Sequence, residues 1–444
     1  MYMKDLLVGY GRVNITPDYP VAMAGGAAKR VSEGALDPIY ITCIALRQGE
    51  ETILFATMDF VGTYEEFAAP ITAAMSKAIG LPENRIILNS THSHSSVSMR
   101  YISGDGIARY TEDFTAWAIE CAKQALADLT PAKVCHGSII ADGMNWVRHY
   151  KMANGTFAGA NYGSFKTSEP IGHVVNPDRQ MQIIKFVRPA EGKKDVVLMS
   201  FPCHATMNQR STLLSADFPG PTRDYIEEKT GTLVAYFIGA GGDQVPSSRI
   251  EGESFSSDYK VFGAELGRIA VECLENLTEL KTNELRFSQK TYFGKSNKAD
   301  MDKADEVLAI EKIWEQVGGR GTPEGRAAAK ERGFHSVYEV TAILNRMRFE
   351  IDRTMELRAI GIGEISIIFA PYEMFGVSGR AIKEGSPYDM TFIISCSHNH
   401  DGYLPSEYGC KLRCYEAQIT KFEWGTAEKL VDEYVALLEE MKKQ

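Results

Sequence analysis

The chain has 444 residues, enough for one large domain or two ordinary domains with a sizeable core. Its composition, 44% hydrophobic and 24% charged, is typical of a globular protein and excludes a disordered chain. The net charge of −10 argues against nucleic acid or an anionic membrane as a partner, and no apolar run is long enough to span a membrane.

The cysteine content and the first residues predict a cellular compartment. Eight cysteines in a chain of this length are too few for a disulfide scaffold. The first ten residues have no long apolar segment of the kind found in signal peptides, and are interpreted as a strand. We therefore expect reduced thiols and a cytoplasmic protein.

Apolar runs alternate with amphipathic segments along the chain, which predicts an α/β fold with a mixed β-sheet core flanked by helices. Several runs are almost wholly apolar, as strands buried on both faces are. The predicted strands are residues 53–58, 86–88, 181–186, 196–201, 234–237, 365–369 and 392–396. The predicted helices are residues 65–79, 111–127, 259–277 and 415–441.

One region differs from this alternation. Residues 298–348 are highly charged, helical in pattern and broken at 318–323, between strand-like residues 287–292 and 349–360. They predict a helical insertion, which either forms a lid over a site or decorates the fold by packing. Because no Pro/Ser-rich linker divides the chain, we expect residues 1–444 to form a single domain with this insertion.

Residue types that bind metals follow four of the predicted strands. In chain order these are the pair His92 and His94, then His204, then Glu373, then the cluster His398, His400 and Asp401. Strand ends in α/β proteins meet at one edge of a sheet, so we expect these groups to converge. Two imidazoles and a carboxylate, with a position left for water, suit a catalytic zinc ion, although manganese or iron can use the same ligands.

A series of short motifs makes the chain resemble the neutral/alkaline, non-lysosomal ceramidases. The segment G-Y-G-R-V-N-I-T from Gly9 is similar to the family's G-x-G-R-x-D-I-T, and T-H-S-H-S from Thr91 is similar to T-H-T-H-S. The segment N-W-V-R from Asn145 is similar to N-x-x-R. Further family motifs follow in the same order at Asp59, 203–208, 215–220, 242–246, 371–373, 402–403 and 415–416.

The resemblance implies a zinc ion held by His92, His204, Glu373 and Tyr403. It also implies that His94, Arg148 and Tyr415 line the active site and contact the substrate or the reacting carbonyl. His94 is then expected to transfer protons, and Arg148 or Tyr415 to stabilise the oxyanion. The alternative in which His94 is the ligand and His92 its neighbour stays open.

The chain departs from the family where Val245 stands in place of a serine proposed as nucleophile in the motif G-D-V-S-P-N. Since valine cannot attack a carbonyl, activity must use metal-activated water, or a hydroxyl of Ser247 or Ser248 after a shift of the loop. Asp243 of the same segment is expected to orient a ligand or to cap a turn.

The resemblance implies a zinc hydrolase that cleaves an amide bond. The family's C-terminal immunoglobulin-like domain is not expected in this chain, and the polar cluster beside Tyr403 favours a small polar N-acyl substrate over ceramide. One alternative is an esterase or a glycoside-cleaving enzyme that pairs Glu373 with Asp217 or Asp243. Another is a ligand-binding protein without catalysis. His149 is noted because it follows Arg148, whereas His136, His173 and His335 are expected to be surface or capping residues.

Overall fold

The computed structural model describes residues 5–25, 30–99, 106–348, 352–398 and 400–444. Within these ranges there are eleven α-helices, labelled α1 to α11 in chain order. They are Glu65–Ile79, Ile107–Ala127, Pro219–Thr230, Tyr259–Leu274, Ala304–Gln316, Pro323–Glu331, Val337–Arg348, Gly376–Gly385, Glu407–Leu412, Tyr415–Ile419 and Thr426–Lys442. Short 3₁₀ helices cover Glu83–Arg85 and Met301–Lys303.

Three larger sheets form the centre of the fold. In spatial order, the strands of the first sheet are Ile86–Ser90, Glu51–Met58, Tyr40–Gln48, Leu7–Asn14 and Thr130–Pro131. Those of the second are Leu233–Ile238, Val196–Phe201, Gln180–Val187, Lys133–Ile140 and Thr278–Glu279. Those of the third are Leu285–Gly294, Arg353–Ile362, Ile365–Phe369 and Met390–Ile394.

Smaller sheets join the loops. One has three strands, Phe157–Gly159, His149–Met152 and Pro170–His173. The others pair Trp146–Val147 with Gln244–Val245, Leu213–Leu214 with Gly34–Ala35, Ala22–Met23 with Arg30–Val31, and Glu373–Met374 with Tyr403–Leu404. The last of these pairs holds Glu373 and Tyr403, which the sequence places in the site.

The three larger sheets share one hydrophobic core. Phe55 of the first sheet, Phe237 of the second and Phe369 of the third belong to one buried cluster, and the Phe55 ring lies 5.9 Å from Phe237 and 5.6 Å from Phe369. Helices cover the outer face of each sheet: α1 and α2 the first, α3 and α4 the second, α8 and α11 the third. Strands enclosed in this way are buried on both faces, which explains their continuous apolar sequences.

Each larger sheet contains one pair of parallel strands, and the site residues follow these pairs. Glu51–Met58 runs parallel to Ile86–Ser90, Val196–Phe201 to Leu233–Ile238, and Ile365–Phe369 to Met390–Ile394. A parallel pair brings two carboxyl ends to the same edge of its sheet. The loops after these ends then meet across sheets, as in the bridge from Ser93 to Ala205 and that from Asn89 to Ser397.

The predicted α/β class is confirmed, and so are the seven predicted strands, with small changes at their ends. The strand predicted at 392–396 ends at Ile394, because Cys396 adopts a left-handed conformation with φ 54°. The helix predicted at 415–441 is wrong. It is two helices, α10 and α11, separated where Phe422 forms a bridge with Ser296 and Gly425 takes φ 91°.

The region predicted as a helical insertion contains α5, α6 and α7, which bury an apolar cluster of their own around Trp314 and Ile343. The predicted strand 349–360 begins at Arg353 in the structure, and residues 349–351 lie outside the described ranges. Among the helices of the described residues, none has the length and apolar character needed to cross a membrane.

Candidate metal centre

Three imidazoles and a carboxylate meet where the parallel strand pairs end. Glu373 Oε2 lies 3.2 Å from His92 Nε2 and 3.1 Å from His204 Nε2. His94 Nε2 lies 3.2 Å from His92 Nε2, and the ligand-type nitrogens of the three histidines are all within 4.8 Å of one another. His92, His204 and Glu373 are far apart in the sequence, and the fold brings them to one point.

Main-chain carbonyls orient two of the rings. His92 Nδ1 donates to Val61 O at 2.6 Å, and His204 Nδ1 donates to Gly241 O at 2.7 Å. Because Nδ1 carries a hydrogen in both rings, Nε2 is the nitrogen that each ring presents to Glu373. Proteins commonly hold metal-binding histidines in this way: a main-chain carbonyl binds one ring nitrogen, and the other nitrogen faces the metal site.

The backbone that carries these groups is tightly constrained. His92 has φ 65°, a left-handed conformation that is uncommon for a residue with a side chain. Gly242 passes so close to the loop of Glu373 that a Cβ atom at position 242 would lie 2.7 Å from Glu373 O. Only glycine fits this contact, and Gly242 N donates there to Met374 O at 2.7 Å.

Tyr403 completes one wall of the centre. It lies beside Glu373 in a short parallel pair, and its hydroxyl is 3.3 Å from His204 Nε2. Its ring stacks on His204 with centroids 6.2 Å apart, and the Arg148 guanidinium lies 5.2 Å from the Tyr403 ring centre. Burial raises the pKa of Tyr403 well above that of an ordinary phenol, so the hydroxyl is protonated unless a cation lowers its pKa.

Two of the histidines are neutral. Burial, with Arg148 and His92 nearby, lowers the pKa of His204 to about 4. Burial and the neighbouring His92 and His204 likewise hold the pKa of His94 well below its usual value. A neutral imidazole offers a lone pair for a metal or for a proton, so both residues are available for either role.

The other two groups carry charge. Burial raises the pKa of Glu373, but His92, His204 and His400 lower it by more, so the carboxylate is ionised. Burial lowers the pKa of His92, yet Cys396 and Glu373 raise it by more. A metal ion that bound at this nitrogen would have to displace a proton, as is usual for metal-binding histidines.

The residues fit a divalent cation. Glu373 Oε2 is fully buried and has no hydrogen-bond partner among the described residues, although two imidazole nitrogens lie within 3.2 Å of it. A buried carboxylate oxygen without a partner is costly, and a cation placed among these nitrogens would satisfy it. Two imidazoles, a carboxylate and a phenol form a nitrogen and oxygen set that suits zinc.

Arg148 and Tyr415 also lie at the centre. Arg148 Nε donates to Glu416 Oε1 at 2.7 Å, and its Nη2 donates to Gly242 O at 3.0 Å. Tyr415 begins α10, and its ring lies 5.9 Å from that of Tyr403. On its other side Tyr415 contacts the Tyr338 ring of α7 at 5.5 Å, so the region predicted as an insertion reaches the wall of the site.

The segment of Val245 pairs with the residues that precede Arg148. Val245 is half-buried in a two-residue strand and pairs with Trp146. The Ser248 hydroxyl accepts from Ile250 N at 3.0 Å and lies 3.3 Å from His173 Nε2, whereas Ser247 is exposed. Neither hydroxyl has a contact with the three histidines of the centre among the described interactions.

The two aspartates considered as partners of Glu373 have other roles. Asp217 accepts from Asn208 N and Phe218 N, both at 2.7 Å. Asp243 accepts from Gly376 N at 2.8 Å and from the Tyr408 hydroxyl at 2.6 Å. Both oxygens of each carboxylate are therefore occupied by hydrogen bonds that fix the local backbone or a neighbouring side chain.

Three buried groups next to the centre are not among the predicted ligands or catalytic residues, although His400 belongs to a cluster that was expected to converge there. His400 Nε2 lies 3.4 Å from Glu373 Oε1, and Cys396 Sγ lies 3.6 Å from His92 Nδ1. Glu416, which follows Tyr415 in a family motif, binds Arg148. For His400, the signal was its position in the cluster after the strand predicted at 392–396; Cys396 had no signal beyond its place in that strand.

Comparisons with known proteins give the fold. No protein-family model matches the sequence, and no curated protein matches it. Among solved structures, a ceramidase complexed with C2 has a TM-score of 0.69 and 14% identity, over 99% of this chain and 76% of that chain. The neutral ceramidase from Pseudomonas aeruginosa has a TM-score of 0.69 and 15% identity, over 99% of this chain and 75% of that chain. The resemblance seen in the motifs is thus confirmed at the level of the fold, which this chain shares with neutral ceramidase.

Proposed function

We propose that this protein is a zinc-dependent hydrolase that cleaves the amide bond of a small, polar N-acyl substrate. One observation carries the proposal: a buried, ionised Glu373 whose Oε2 has no hydrogen-bond partner among the described residues lies within 3.2 Å of two imidazole nitrogens. The fold shared with ceramidases, whose name denotes the cleavage of an N-acyl amide, supports the same reaction class.

The proposed ligands are His92, His204, Glu373 and Tyr403. When bound, zinc would lower the pKa of a water molecule and polarise a carbonyl group. His94 is close enough to His92 to serve as a ligand in its place, and this assignment remains the alternative. The two assignments differ in which histidine is left to handle protons.

The chain's own residues supply the remaining functions. His94, neutral and beside the ligands, is placed to accept a proton at Nε2 and return it to the departing amine. Burial lowers the pKa of Arg148, but the neighbouring Tyr403 and Glu416 raise it by more, so the guanidinium stays charged and is placed to hold the carbonyl oxygen of the substrate as negative charge develops. Tyr415 is proposed to assist from the same wall, beside Tyr403.

The nucleophile is proposed to be water. Valine at position 245 has no group that could attack, and the Ser248 hydroxyl is engaged by Ile250 N and His173. A serine mechanism would require this loop to break those contacts, whereas attack by water requires no rearrangement of the chain.

A second reaction class, glycoside cleavage, has less support. It needs two carboxyl groups that face the same bond, one as acid and one as base or nucleophile. Asp217 and Asp243 both use their two oxygens to accept hydrogen bonds, so neither is available to pair with Glu373 in this conformation.

Polar groups around the centre favour a hydrophilic substrate, such as an N-acylated sugar or amino acid. Arg148, His94 and the Tyr415 hydroxyl provide charge and hydrogen bonds rather than an apolar channel. The eight cysteines are unpaired, and seven of them are buried, which supports a reducing compartment such as the cytoplasm.

The test combines metal analysis with a substrate panel. Elemental analysis of purified protein should find about one zinc ion per chain, and the zinc-loaded protein should release amine from short N-acyl sugars or amino acids. The Ser247→Ala/Ser248→Ala variant should retain turnover. Protein that neither contains nor takes up metal would contradict the zinc assignment, and loss of turnover in the serine variant would contradict attack by water.

A further inference from the structure

A second buried cluster lies behind Arg148, and we name it the arginine network: Arg148, Glu416, His149, Tyr408 and Asp243. Glu416 Oε1 accepts from Arg148 Nε at 2.7 Å, while Glu416 Oε2 lies 2.9 Å from His149 Nε2. His149 Nδ1 lies 3.1 Å from the Tyr408 hydroxyl, which donates to Asp243 Oδ2 at 2.6 Å. Arg148 N donates to Asp243 O at 2.9 Å, so the network closes on the residue where it begins.

The hydrogen bonds determine where the protons lie. The Tyr408 hydroxyl has one proton and donates it to Asp243, so its oxygen accepts from His149 Nδ1. The second nitrogen, Nε2, faces a carboxylate oxygen of Glu416. His149 therefore joins two acidic residues, Glu416 directly and Asp243 through Tyr408.

Basic and acidic groups alternate in the network, and the side chains of His149, Glu416 and Asp243 are completely buried. The two oxygens of Glu416 have different partners, Arg148 for Oε1 and His149 for Oε2. Glu416 therefore fixes the Arg148 guanidinium while His149 holds the other side of the carboxylate.

We propose that Glu416 and His149 are positioning residues for Arg148, which together hold its guanidinium beside Tyr403 so that it binds the carboxylate or oxyanion of the substrate. The inference rests on the proposed function and adds a specific ligand chemistry to it, an oxygen anion recognised by a fixed guanidinium. The Arg148 guanidinium lies 5.2 Å from the centre of the Tyr403 ring and donates to Gly242 O. It is therefore held between two loops that also form the metal centre.

The element that carries Glu416 is itself fixed. Helix α10 has only five residues, too few to be stable alone. Arg346 of α7 is buried and donates to the carbonyl oxygen of Gln418 at the end of α10, which satisfies a group that the helix leaves unpaired. The position of Glu416 thus depends on the tertiary packing around α10.

Residue types alone would also permit a metal site here, because ligand atoms of His149, Cys414 and Glu416 lie within 4.8 Å of one another. The contacts argue against it. A guanidinium already occupies Glu416 Oε1, and both nitrogens of His149 are engaged. A cation would have to displace a charged group from a buried ion pair, which is strongly unfavourable.

The test uses the metal site as a reporter and acetate as the probe. The protein is loaded with Co²⁺ in place of zinc, and its visible absorption is followed during titration with acetate. We expect His149→Gln and Glu416→Gln to weaken acetate binding by about tenfold to a hundredfold, with the cobalt content unchanged. Tyr408→Phe, which removes one hydroxyl and keeps the ring, should also weaken acetate binding. It replaces Glu416→Gln in the test if that variant does not fold.

Two comparisons separate positioning from a merely structural role. The Arg148→Lys/His149→Gln double variant should bind acetate no more weakly than Arg148→Lys alone, because His149 acts only through the guanidinium. Asp128→Asn is the control, because it alters a different arginine–carboxylate pair, that of Arg188 and Asp128. It should leave acetate binding unchanged.

The outcomes for this inference and for the proposed function are distinct. Variants of His149 and Tyr408 that bind acetate as tightly as wild type would overturn the positioning roles, as would a wild type that does not bind acetate. Failure of the wild-type enzyme to release amine from any N-acyl compound would instead count against the amide hydrolase. The acetate titration does not depend on turnover, so it can be read even when no N-acyl compound is cleaved. Protein that takes up no cobalt would overturn this inference together with the metal site.

Discussion

Two buried clusters of similar residue types lie next to each other, and they differ in how completely the oxygens of their carboxylates are hydrogen-bonded. In the metal centre, Glu373 Oε2 has no hydrogen-bond partner among the described residues. In the arginine network, Glu416 is bound by Arg148 through one oxygen and by His149 through the other. Both clusters contain sets of ligand atoms within 4.8 Å of one another.

The difference shows that residue type and proximity do not define a metal site. A buried carboxylate whose two oxygens are both hydrogen-bonded is part of the protein's structure. One with a buried oxygen that makes no hydrogen bond has an energetic reason to bind a cation. Substitutions in the two clusters should therefore have different consequences for metal binding and for stability.

The largest effect should be on metal content. His204→Ala and Glu373→Ala should lose essentially all bound zinc, because each removes a ligand from a site with few replacements. His149→Gln, the matched change in the arginine network, should retain about one zinc per chain. Elemental analysis after exhaustive dialysis measures this directly. Equal zinc loss in all three variants would mean that the two clusters form a single metal-binding unit, which would contradict the distinction between them.

The next effect concerns stability. Glu416→Ala should lower the free energy of unfolding by about 3–5 kcal/mol, because it leaves the Arg148 guanidinium and His149 buried without the carboxylate that binds both. The effect should be the same in metal-free and zinc-loaded protein, as measured by urea denaturation. Glu51→Ala, which removes the anion from a partly exposed pair with Arg85, is the control and should cost less than about 1 kcal/mol.

Zinc should stabilise the protein only through the metal centre. At a free concentration of about 100 times its dissociation constant, it should stabilise wild type and Glu416→Ala alike by about 2.7 kcal/mol. Glu373→Ala should gain nothing. Stabilisation of Glu373→Ala by zinc would show that the ion binds elsewhere.

Much of the metal centre could be predicted from local sequence. His92, His204 and Glu373 each follow an apolar run that is long enough for one buried strand, and the chain leaves the sheet at that point. Since parallel strands direct their carboxyl ends to one edge, polar groups in these positions converge whatever the intervening sequence. The roles of Arg148, Tyr403 and Tyr415 came from the resemblance to a family rather than from spacing.

The arginine network could not be predicted in this way. Arg148 and Glu416 are 268 positions apart, and a lone glutamate after a tyrosine has no local signal. The break between α10 and α11 was missed for a similar reason. Apolar spacing continues through Phe422, but that residue packs against Ser296 and Met355, so contacts with distant residues end the helix. The sequence pattern near residue 420 does not contain those contacts.

Asp217 provides an intermediate case, a buried carboxylate bound only by main-chain N–H groups. Burial raises its pKa from 3.8 to about 6, because those hydrogen bonds do not replace a counter-cation. Between these two pH values the folded protein keeps a proton that the unfolded chain has lost. Stability should therefore fall by about 2–3 kcal/mol as the pH rises through this window, and level off above it.

Asp217→Asn should remove this part of the pH dependence, which urea denaturation at several pH values would reveal. The contribution of Glu416 to the pH dependence of stability has the opposite sign. Burial alone would raise its pKa, but Arg148 and His149 lower it by more, so its stabilisation is present at neutral pH and lost in acid. An Asp217→Asn variant with an unchanged slope would show that main-chain donors compensate that carboxylate as fully as cations do.

The smallest effect belongs to an exposed carboxylate that, like Asp217, accepts hydrogen bonds from main-chain N–H groups. Asp258 is the N-cap of α4, and its Oδ1 accepts from Lys260 N at 2.8 Å and Val261 N at 3.4 Å. Asp258→Ala should cost about 1 kcal/mol, and Asp258→Asn only a few tenths, because asparagine caps a helix almost as well. Water can replace the lost acceptor at the surface but not at Asp217. Thermal denaturation would measure these losses of stability. If Asp258→Ala lost as much stability as Glu416→Ala, burial would not be what makes the loss of a carboxylate costly in this fold.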